Sequence, residues 1–310
     1  MQIEQELAKF SPGKDTLLTI GVFDGVHLGH KYLIARLKEL AKERGLLSGV
    51  VTFSQHPVAV LSPQTELLFL TDLDQRIEHL KNEGVDAVVP IPFNLEVAQL
   101  SAREFVGLLK KCLRMRGLVV GYDFALGRDR EGNSDTLHKL GKEMNFTVAV
   151  VPPMINGGEI VSSTAVRKAL AEGNMKRVQK LSGRLFSLKG RVVTGSRRGI
   201  ELGFPTANLS VNSGQALPKS GVYVTRAHID DKIYPSVTNI GFCPTFGGTE
   251  CTIEVHILDY QGDLYQHEMR IDIVERLRDE KKFDSPAELK KQIAEDIKQS
   301  KAILDSRGSN

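Results

Sequence analysis

The sequence predicts an α/β fold class in two parts: a parallel sheet covered by helices, then a small antiparallel β-barrel with a C-terminal helix. Three observations predict it. From Thr16 to about Val151, short β-branched runs alternate with helical patterns, the signature of a parallel sheet with crossover helices. Beyond Gly183, strand patterns follow one another with no helices of comparable length between them. The chain then closes on one capped amphipathic segment. At 310 residues it is long enough for two cores, and the composition change places the boundary between residues 1–183 and 184–310.

The first strand, LLTI, runs into Gly21, and a helix follows in HKYLIARLKELAKER, where Leu33, Leu37, Leu40 and Ala41 form a stripe at helical spacing. SGVVTF, DAVVPI, GLVVGYDF and FTVAVV supply the next strands. Between them Asp72 to Asn82 reads as a helix, and Ser101 with Glu104 forms a capping box ahead of FVGLLKK. This is a Rossmann-like arrangement. One helix is expected from about Thr164 and another after Gly173-Asn174.

In the second part LKGRVVT, GVYVTRAHI, KIYPSVTNI, TIEVHIL and EMRIDIV are separated by Gly, Pro, Asn and Asp turns, which suits a small barrel. For the last helix, Ser285, Pro286 and Glu288 supply N-cap, N1 and N3, and Leu289, Ile293 and Ile297 its apolar stripe.

Composition narrows the function classes. Hydrophobic content of 41% and charged content of 25% are ordinary for a globular chain. A net charge of +3, with pI about 8.6, is too mild to indicate a nucleic-acid surface. The first residues lack a signal-peptide pattern, and no apolar run approaches the roughly 18 residues of a membrane span, so a cytoplasmic protein is expected. Cys112, Cys243 and Cys251 have no CxxC spacing and are expected to be reduced packing residues.

Chemistry is concentrated in a few stretches. LLTIGVFDGVHLGH reads as strand, glycine turn and helix start, with His27 and His30 at the helix N-terminus. Such a terminus attracts anions, Gly25 and Gly29 allow close backbone approach, and two imidazoles can donate to phosphate oxygens that gain charge. Taken alone, an HxxH pair reads as surface or capping residues. Ser163 and Thr164, with Arg167 one turn in, are helix caps or a second phosphate cradle. Two such cradles suit a nucleoside triphosphate.

In the barrel, TGSRRGIELGFPTANL has the glycines and arginines of a mobile flap over phosphates, with Pro205 holding Thr206 and Asn208 in a turn. The hydroxyl and the amide oxygen are hard ligands fit for Mg²⁺. Along Thr252 to Leu258, alternation places Glu254 and His256 on one face and Ile253, Val255 and Ile257 on the other. Glu254 is then a solvated strand residue or a general base.

GVFDGVHLGH resembles the signature of the HxGH nucleotidyltransferases, and its FDG narrows the likeness to the flavin branch. With GYDFALGRDREGN, SSTAVR, GFPTAN, GVY, NIGFCPTFGG and EVHILD in that order, nearly the whole chain resembles the bacterial bifunctional riboflavin kinase/FMN adenylyltransferases, or FAD synthetases. The resemblance implies AMP transfer from ATP to FMN in a Rossmann-like nucleotidyltransferase domain, and riboflavin phosphorylation by ATP in a barrel kinase domain. It implies that His27, His30, Gly25, Gly29, Ser163, Thr164 and Arg167 serve the ATP phosphates. Asp123 and Phe124 would line the flavin or adenosine side, Glu254 would be the kinase base, and Thr206 and Asn208 would organise Mg²⁺ and phosphates. Riboflavin, FMN, FAD and ATP are the implied ligands; no nucleic acid or membrane is expected, and self-association is compatible with the chain.

Three positions depart from the family pattern. Ala165 stands where SSTRIR has its first arginine, Leu126 replaces an aromatic of DFxFG, and Val58 follows His56-Pro57 where a basic residue is frequent. All three lie in the adenylyltransferase half. A kinase with a weak or inactive first domain, or a flavin-responsive binding protein, are the alternatives that turnover measurements separate.

Overall fold

The structure, a computed structural model, describes residues 2–62, 64, 67–195, 198–245 and 248–307. Arg197 of the expected flap, Phe246 and Gly247 of NIGFCPTFGG and residues 308–310 of the tail lie outside the described residues, as do the side chains of Arg198 and Cys243. The chain divides into two compact units, Met1–Ser163 and Thr164–Asn310.

The first unit begins with α1 (Gln2–Ala8), β1 (Thr16–Gly21), α2 (Leu28–Glu43), β2 (Leu47–Phe53), α3 (Pro57–Leu61), α4 (Leu73–Asn82) and β3 (Ala87–Ile91). It continues through α5 (Leu95–Ala98), α6 (Ala102–Leu113), β4 (Met115–Gly121), α7 (Ser134–Met144), β5 (Thr147–Val151) and a hairpin of β6 (Ile155–Asn156) and β7 (Glu159–Ile160). The five long strands form a sheet in the order β3-β2-β1-β4-β5 with parallel pairing throughout. Strand order reverses between β1 and β4, and the carboxyl ends of such strands flank the ligand crevice of an open α/β sheet.

Both faces of the sheet are covered, as a parallel sheet requires. Leu18, Ile20, Leu118 and Val120 pack with Phe105, Val106 and Leu109 of α6, whereas Leu17, Val50 and Val119 pack with Ile34, Leu37 and Leu40 of α2. The capping box at Ser101 with Glu104 forms as the sequence predicts, and a second one, at Asp72 with Gln75, opens α4. Helix α1 was not anticipated. Its Ile3 and Leu7 are buried in the α6 face of the core, a tertiary role that seven residues do not announce.

From the junction run α8 (Ser163–Ala171), α9 (Met175–Ser182), β8 (Phe186–Val193), α10 (Arg198–Leu202), β9 (Ala207–Val211), β10 (Gly221–Ile229), β11 (Lys232–Thr245), β12 (Gly248–Ile257), β13 (Glu268–Arg278) and α11 (Pro286–Ser306). Six antiparallel strands close a barrel in the order β10-β11-β12-β9-β8-β13. Helices α8 and α9 group with this barrel: Lys219 donates its backbone N–H to the Leu170 carbonyl at 3.1 Å, and Lys176 pairs with Glu275 at 3.0 Å. Their helical periodicity associates them in sequence with the α/β half; their packing associates them with the strands.

One expectation changes in the barrel. PTAN is not a turn, because Asn208 belongs to β9 and Pro205-Thr206 lead into that strand. On α11, Ser285 accepts from the Glu288 N–H at 3.3 Å as predicted, yet the most buried positions are polar, Asp296 and Ser300. Among the described residues, no helix is long and apolar enough to cross a membrane.

Candidate active sites

At the carboxyl end of β1 the chain makes a tight loop before α2. Phe23 (φ 53°), Gly25 (φ 78°) and Val26 (φ 34°) all adopt left-handed conformations. His27 is the N-cap of α2, and its Nδ1 accepts the His30 backbone N–H at 3.3 Å. A neutral ring accepting at Nδ1 carries its proton on Nε2. His27 and His30 stack at 3.7 Å between centroids, and Phe23 meets His30 edge-on at 5.1 Å. Sequence spacing therefore becomes a paired imidazole face at a helix N-terminus, where backbone N–H groups and the dipole favour anions.

Each glycine also has a packing reason. A Cβ on Gly25 would lie 2.8 Å from Leu70 Cδ1, and one on Gly29 would lie 2.9 Å from the Val161 carbonyl oxygen.

The residues that hold this loop were missed by the sequence reading. Asp24 is 2% exposed, and its carboxylate accepts the backbone N–H groups of Leu70 (2.9 Å) and Thr71 (3.2 Å), while Thr71 Oγ1 accepts from Gly25 N (3.1 Å). Arg76 of α4 is 1% exposed and donates from Nη1 to the carbonyls of Val22 and Phe53, both at 2.8 Å. Burial lowers the pKa of its guanidinium, against the pull of Asp24 and Asp72, and the guanidinium lies over the Phe69 ring at 5.0 Å. Two left-handed non-glycine residues cost about 1–2 kcal/mol each. Hydrogen bonds to a charged group contribute about 1.5–3 kcal/mol each, so the Asp24 and Arg76 bonds suffice to hold the strain.

Ser163 donates its hydroxyl to the Asp24 carbonyl at 2.9 Å and so braces the loop. Thr164 and Arg167 follow on α8 in the second unit. Asp123 is exposed after β4, with its carbonyl accepting from Arg130 at 3.1 Å, whereas Phe124 packs against the core. Of the three departures, Leu126 is 8% exposed and part of that same core, so an aliphatic there fills space; Val58 is exposed on α3, and Ala165 is on α8.

In the barrel two cavities meet. The larger, about 660 Å³, is walled by Leu202, Phe204, Val222, Val237, Phe283 and Leu289, with Glu254 and Asn239 among its polar groups. The smaller, about 420 Å³, includes Val192, Leu264, Tyr260, Tyr265 and Asn208. Thr206 lines both. Strand register explains the assembly: Glu254 of β12 lies opposite Asn208 of β9 on one side and Asn239 of β11 on the other. The predicted alternation holds, with Ile253, Val255 and Ile257 buried and Glu254 and His256 half-buried; Glu254 and His256 line the larger cavity, Val255 and Ile257 the smaller.

Sequence reasoning also missed the far wall of the larger cavity. Arg278 donates from Nε and Nη2 to Asp296 at 2.7–3.1 Å, and Gln292 Nε2 donates to the same carboxylate at 2.9 Å. This buried pair fastens the end of β13 to α11. The signal available was an acid on the apolar stripe of the last helix, three residues after Ile293.

One chain thus carries paired histidines at the helix after β1 of a parallel sheet and a barrel whose two cavities share Thr206, the larger also lined by Glu254. The FAD synthetase family model matches residues 10–165 and the riboflavin kinase model residues 182–304. The bifunctional riboflavin kinase/FMN adenylyltransferase of Escherichia coli K12 is 39% identical over 288 residues, 92% of each chain. That of Pseudomonas fluorescens is 38% identical over 306 residues, 98% of each chain. Among solved structures, a macrolide-efflux protein from Streptococcus pneumoniae is 32% identical with a TM-score of 0.87, covering 94% of this chain and 95% of that one. The chain belongs to the bifunctional riboflavin kinase/FMN adenylyltransferase family.

Proposed function

We propose that this chain carries out two successive ATP-dependent steps of flavin cofactor synthesis, one in each domain, with the functional boundary between residues 183 and 184. The observation that carries this reading is the presence of both sites in one chain: the histidine pair at the start of α2, and Glu254 with Thr206 at the two cavities of the barrel.

In the kinase step the larger cavity takes the flavin rings, and the smaller takes ATP. The riboflavin 5′-hydroxyl attacks the γ-phosphorus, its proton passes to Glu254, and the bond from the γ-phosphorus to the bridging oxygen breaks to release ADP. Such a base typically contributes about 10²–10⁴ in rate. Thr206 and Asn208 both face the smaller cavity, and their oxygens fit Mg²⁺. Bound there, Mg²⁺ would neutralise charge on the transferring phosphoryl group.

In the adenylyl step an FMN phosphate oxygen attacks the α-phosphorus of ATP, and the bond to the bridging oxygen breaks to release pyrophosphate. No protein nucleophile is needed, so the residues position and stabilise charge. His27 and His30 stabilise phosphate oxygens, the backbone beside Gly25 and Gly29 admits them, and Ser163, Thr164 and Arg167 serve the same phosphates. Asp123 and Phe124 contribute to the flavin or adenosine side. A cytoplasmic setting, where ATP is available, suits both steps.

The test is chromatography of flavins after incubating the chain with riboflavin, ATP and Mg²⁺, beside a reaction started from FMN. Riboflavin should give FMN and then FAD. Accumulation of FMN with added FMN untouched would restrict catalysis to the barrel, and absence of any turnover would leave a binding protein.

A further inference from the structure

The antiparallel ladder between β12 and β9 is only two pairs long, Glu254↔Asn208 and Val255↔Ala207. It stops where Thr206 and Pro205 would be next, and Pro205 has no N–H with which to extend it. The site nevertheless needs Thr206 held in place, since that residue lines both cavities.

The neighbouring strand supplies a different tie, from a side chain to the Pro205 carbonyl. His256, the residue after the last pair, approaches the Pro205 carbonyl with its Nδ1 at 2.8 Å. A carbonyl only accepts, so Nδ1 carries the proton and donates. The ring is also fixed edge-on by Phe204, at 5.6 Å between centroids and 88° between planes. From Gly199, which a Cβ would bring to 2.4 Å from the Phe204 carbonyl oxygen, to Phe204, whose N–H donates back to Gly199 at 2.8 Å, the preceding turn is equally tight. One imidazole thus ties the strand that bears Glu254 to the segment that bears Thr206.

We propose that His256 is a positioning residue for phosphoryl transfer: its Nδ1–H holds the Pro205 carbonyl just beyond the end of the β12–β9 ladder and fixes Thr206 relative to Glu254. The ring acts through Thr206 and need not touch substrate. The proposal rests on the kinase reading of the barrel and adds to it a residue that sets the distance between base and phosphate site.

The chemistry of the amides provides the test. An asparagine amide nitrogen overlays imidazole Nδ1, whereas that of glutamine overlays Nε2. In the full-length chain, riboflavin phosphorylation is measured for His256→Asn, His256→Gln and His256→Ala, with KM for ATP and the Mg²⁺ concentration for half-maximal rate. Loss of one positioning bond should lower kcat/KM for ATP about tenfold or more in the Gln and Ala variants and raise their Mg²⁺ requirement. His256→Asn should restore the rate to within about threefold of the parent. Riboflavin binding, followed by quenching of flavin fluorescence, should persist in all three, and FAD formation from added FMN should be unchanged.

An active Gln variant beside an inactive Asn variant would overturn the proposal in favour of direct use of Nε2. So would an Ala variant equal to the parent, or loss of riboflavin binding with the ring, which would make His256 a wall of the flavin cavity or a support of the barrel itself. If the parent chain does not phosphorylate riboflavin at all, the kinase reading fails instead.

Discussion

The two candidate sites, read as proposed, would handle the same kind of charge with different materials. At the start of α2 the device is backbone: left-handed residues Phe23, Gly25 and Val26 aim a helix N-terminus, and buried Asp24 and Arg76 hold them there. In the barrel the device is side chains, one from each of several strands, placed by register: Glu254 on β12, Asn208 on β9, Asn239 on β11. A backbone site concentrates its strain and its information in one short loop. A register site distributes both, and each member is replaceable alone without disturbing the ladder.

That contrast predicts how each site breaks. The largest single effect belongs to the barrel, where one group would carry the proton. Glu254→Gln keeps shape and removes the base, and riboflavin phosphorylation should fall by about 10²–10⁴ while FAD formation from added FMN persists. At α2, under the proposed assignment, the charge would be shared among N–H groups and two rings, so no one side chain would dominate. His30→Ala should lower FAD formation from FMN by about 10²–10³, the range for losing one preorganised donor, and leave riboflavin phosphorylation intact. Reversed effects, with each substitution silencing the other activity, would exchange the assignments.

The same contrast explains what the sequence made legible. Contiguity made GVFDGVHLGH readable, since strand, turn, cap and both histidines fall within one stretch, and the structure places them at the carboxyl end of β1. Its supports were invisible because Leu70 and Thr71, which donate to the Asp24 carboxylate, and Val22 and Phe53, which accept from the Arg76 guanidinium, are 23 to 54 residues away from it, and no periodicity links them. In the barrel, alternation revealed the face that carries Glu254. It could not reveal β9, whose five residues follow a proline and resemble a turn locally; only pairing with β8 and β12 makes them a strand. Helices α8 and α9 show the same limit, since helical spacing identifies the element but not the surface it packs on.

The buried pair on the far wall sharpens the comparison from the side of stability. Arg278 and Asp296 have side chains only 16% and 4% exposed, so removing one partner leaves a charge without compensation. Asp296→Ala should destabilise the barrel by about 3 kcal/mol, the low end for breaking a buried pair. Thermal unfolding measured with and without riboflavin would show it, as would loss of phosphorylation at temperatures where FAD formation from FMN survives. Equal loss of both activities would mean that the two units do not unfold separately.

The smallest effect lies in the first unit, at the edge of the sheet opposite the histidines. Asp86, just before β3, accepts the Ser48 backbone N–H at 2.8 Å and the Ser48 hydroxyl at 2.6 Å. These bonds, with the hydroxyl's the larger, hold its carboxyl below the usual carboxylate range despite partial burial. Because the folded pKa is depressed, the unfolded chain takes up the proton more readily. The stabilisation is therefore fully present above the ordinary carboxylate value of about 4 and is lost as pH falls through the lower folded value. For a group this exposed to solvent it amounts to less than about 1 kcal/mol. Asp86→Asn should thus lower the unfolding temperature of the first unit slightly at neutral pH, with the gap to the parent closing below about pH 4. FAD formation at neutral pH should be unaffected, because this bond fixes the amino ends of β2 and β3 while the chemistry sits at their carboxyl ends. A gap that stays constant with pH would mean that the Ser48 bonds do not depend on the carboxylate's charge.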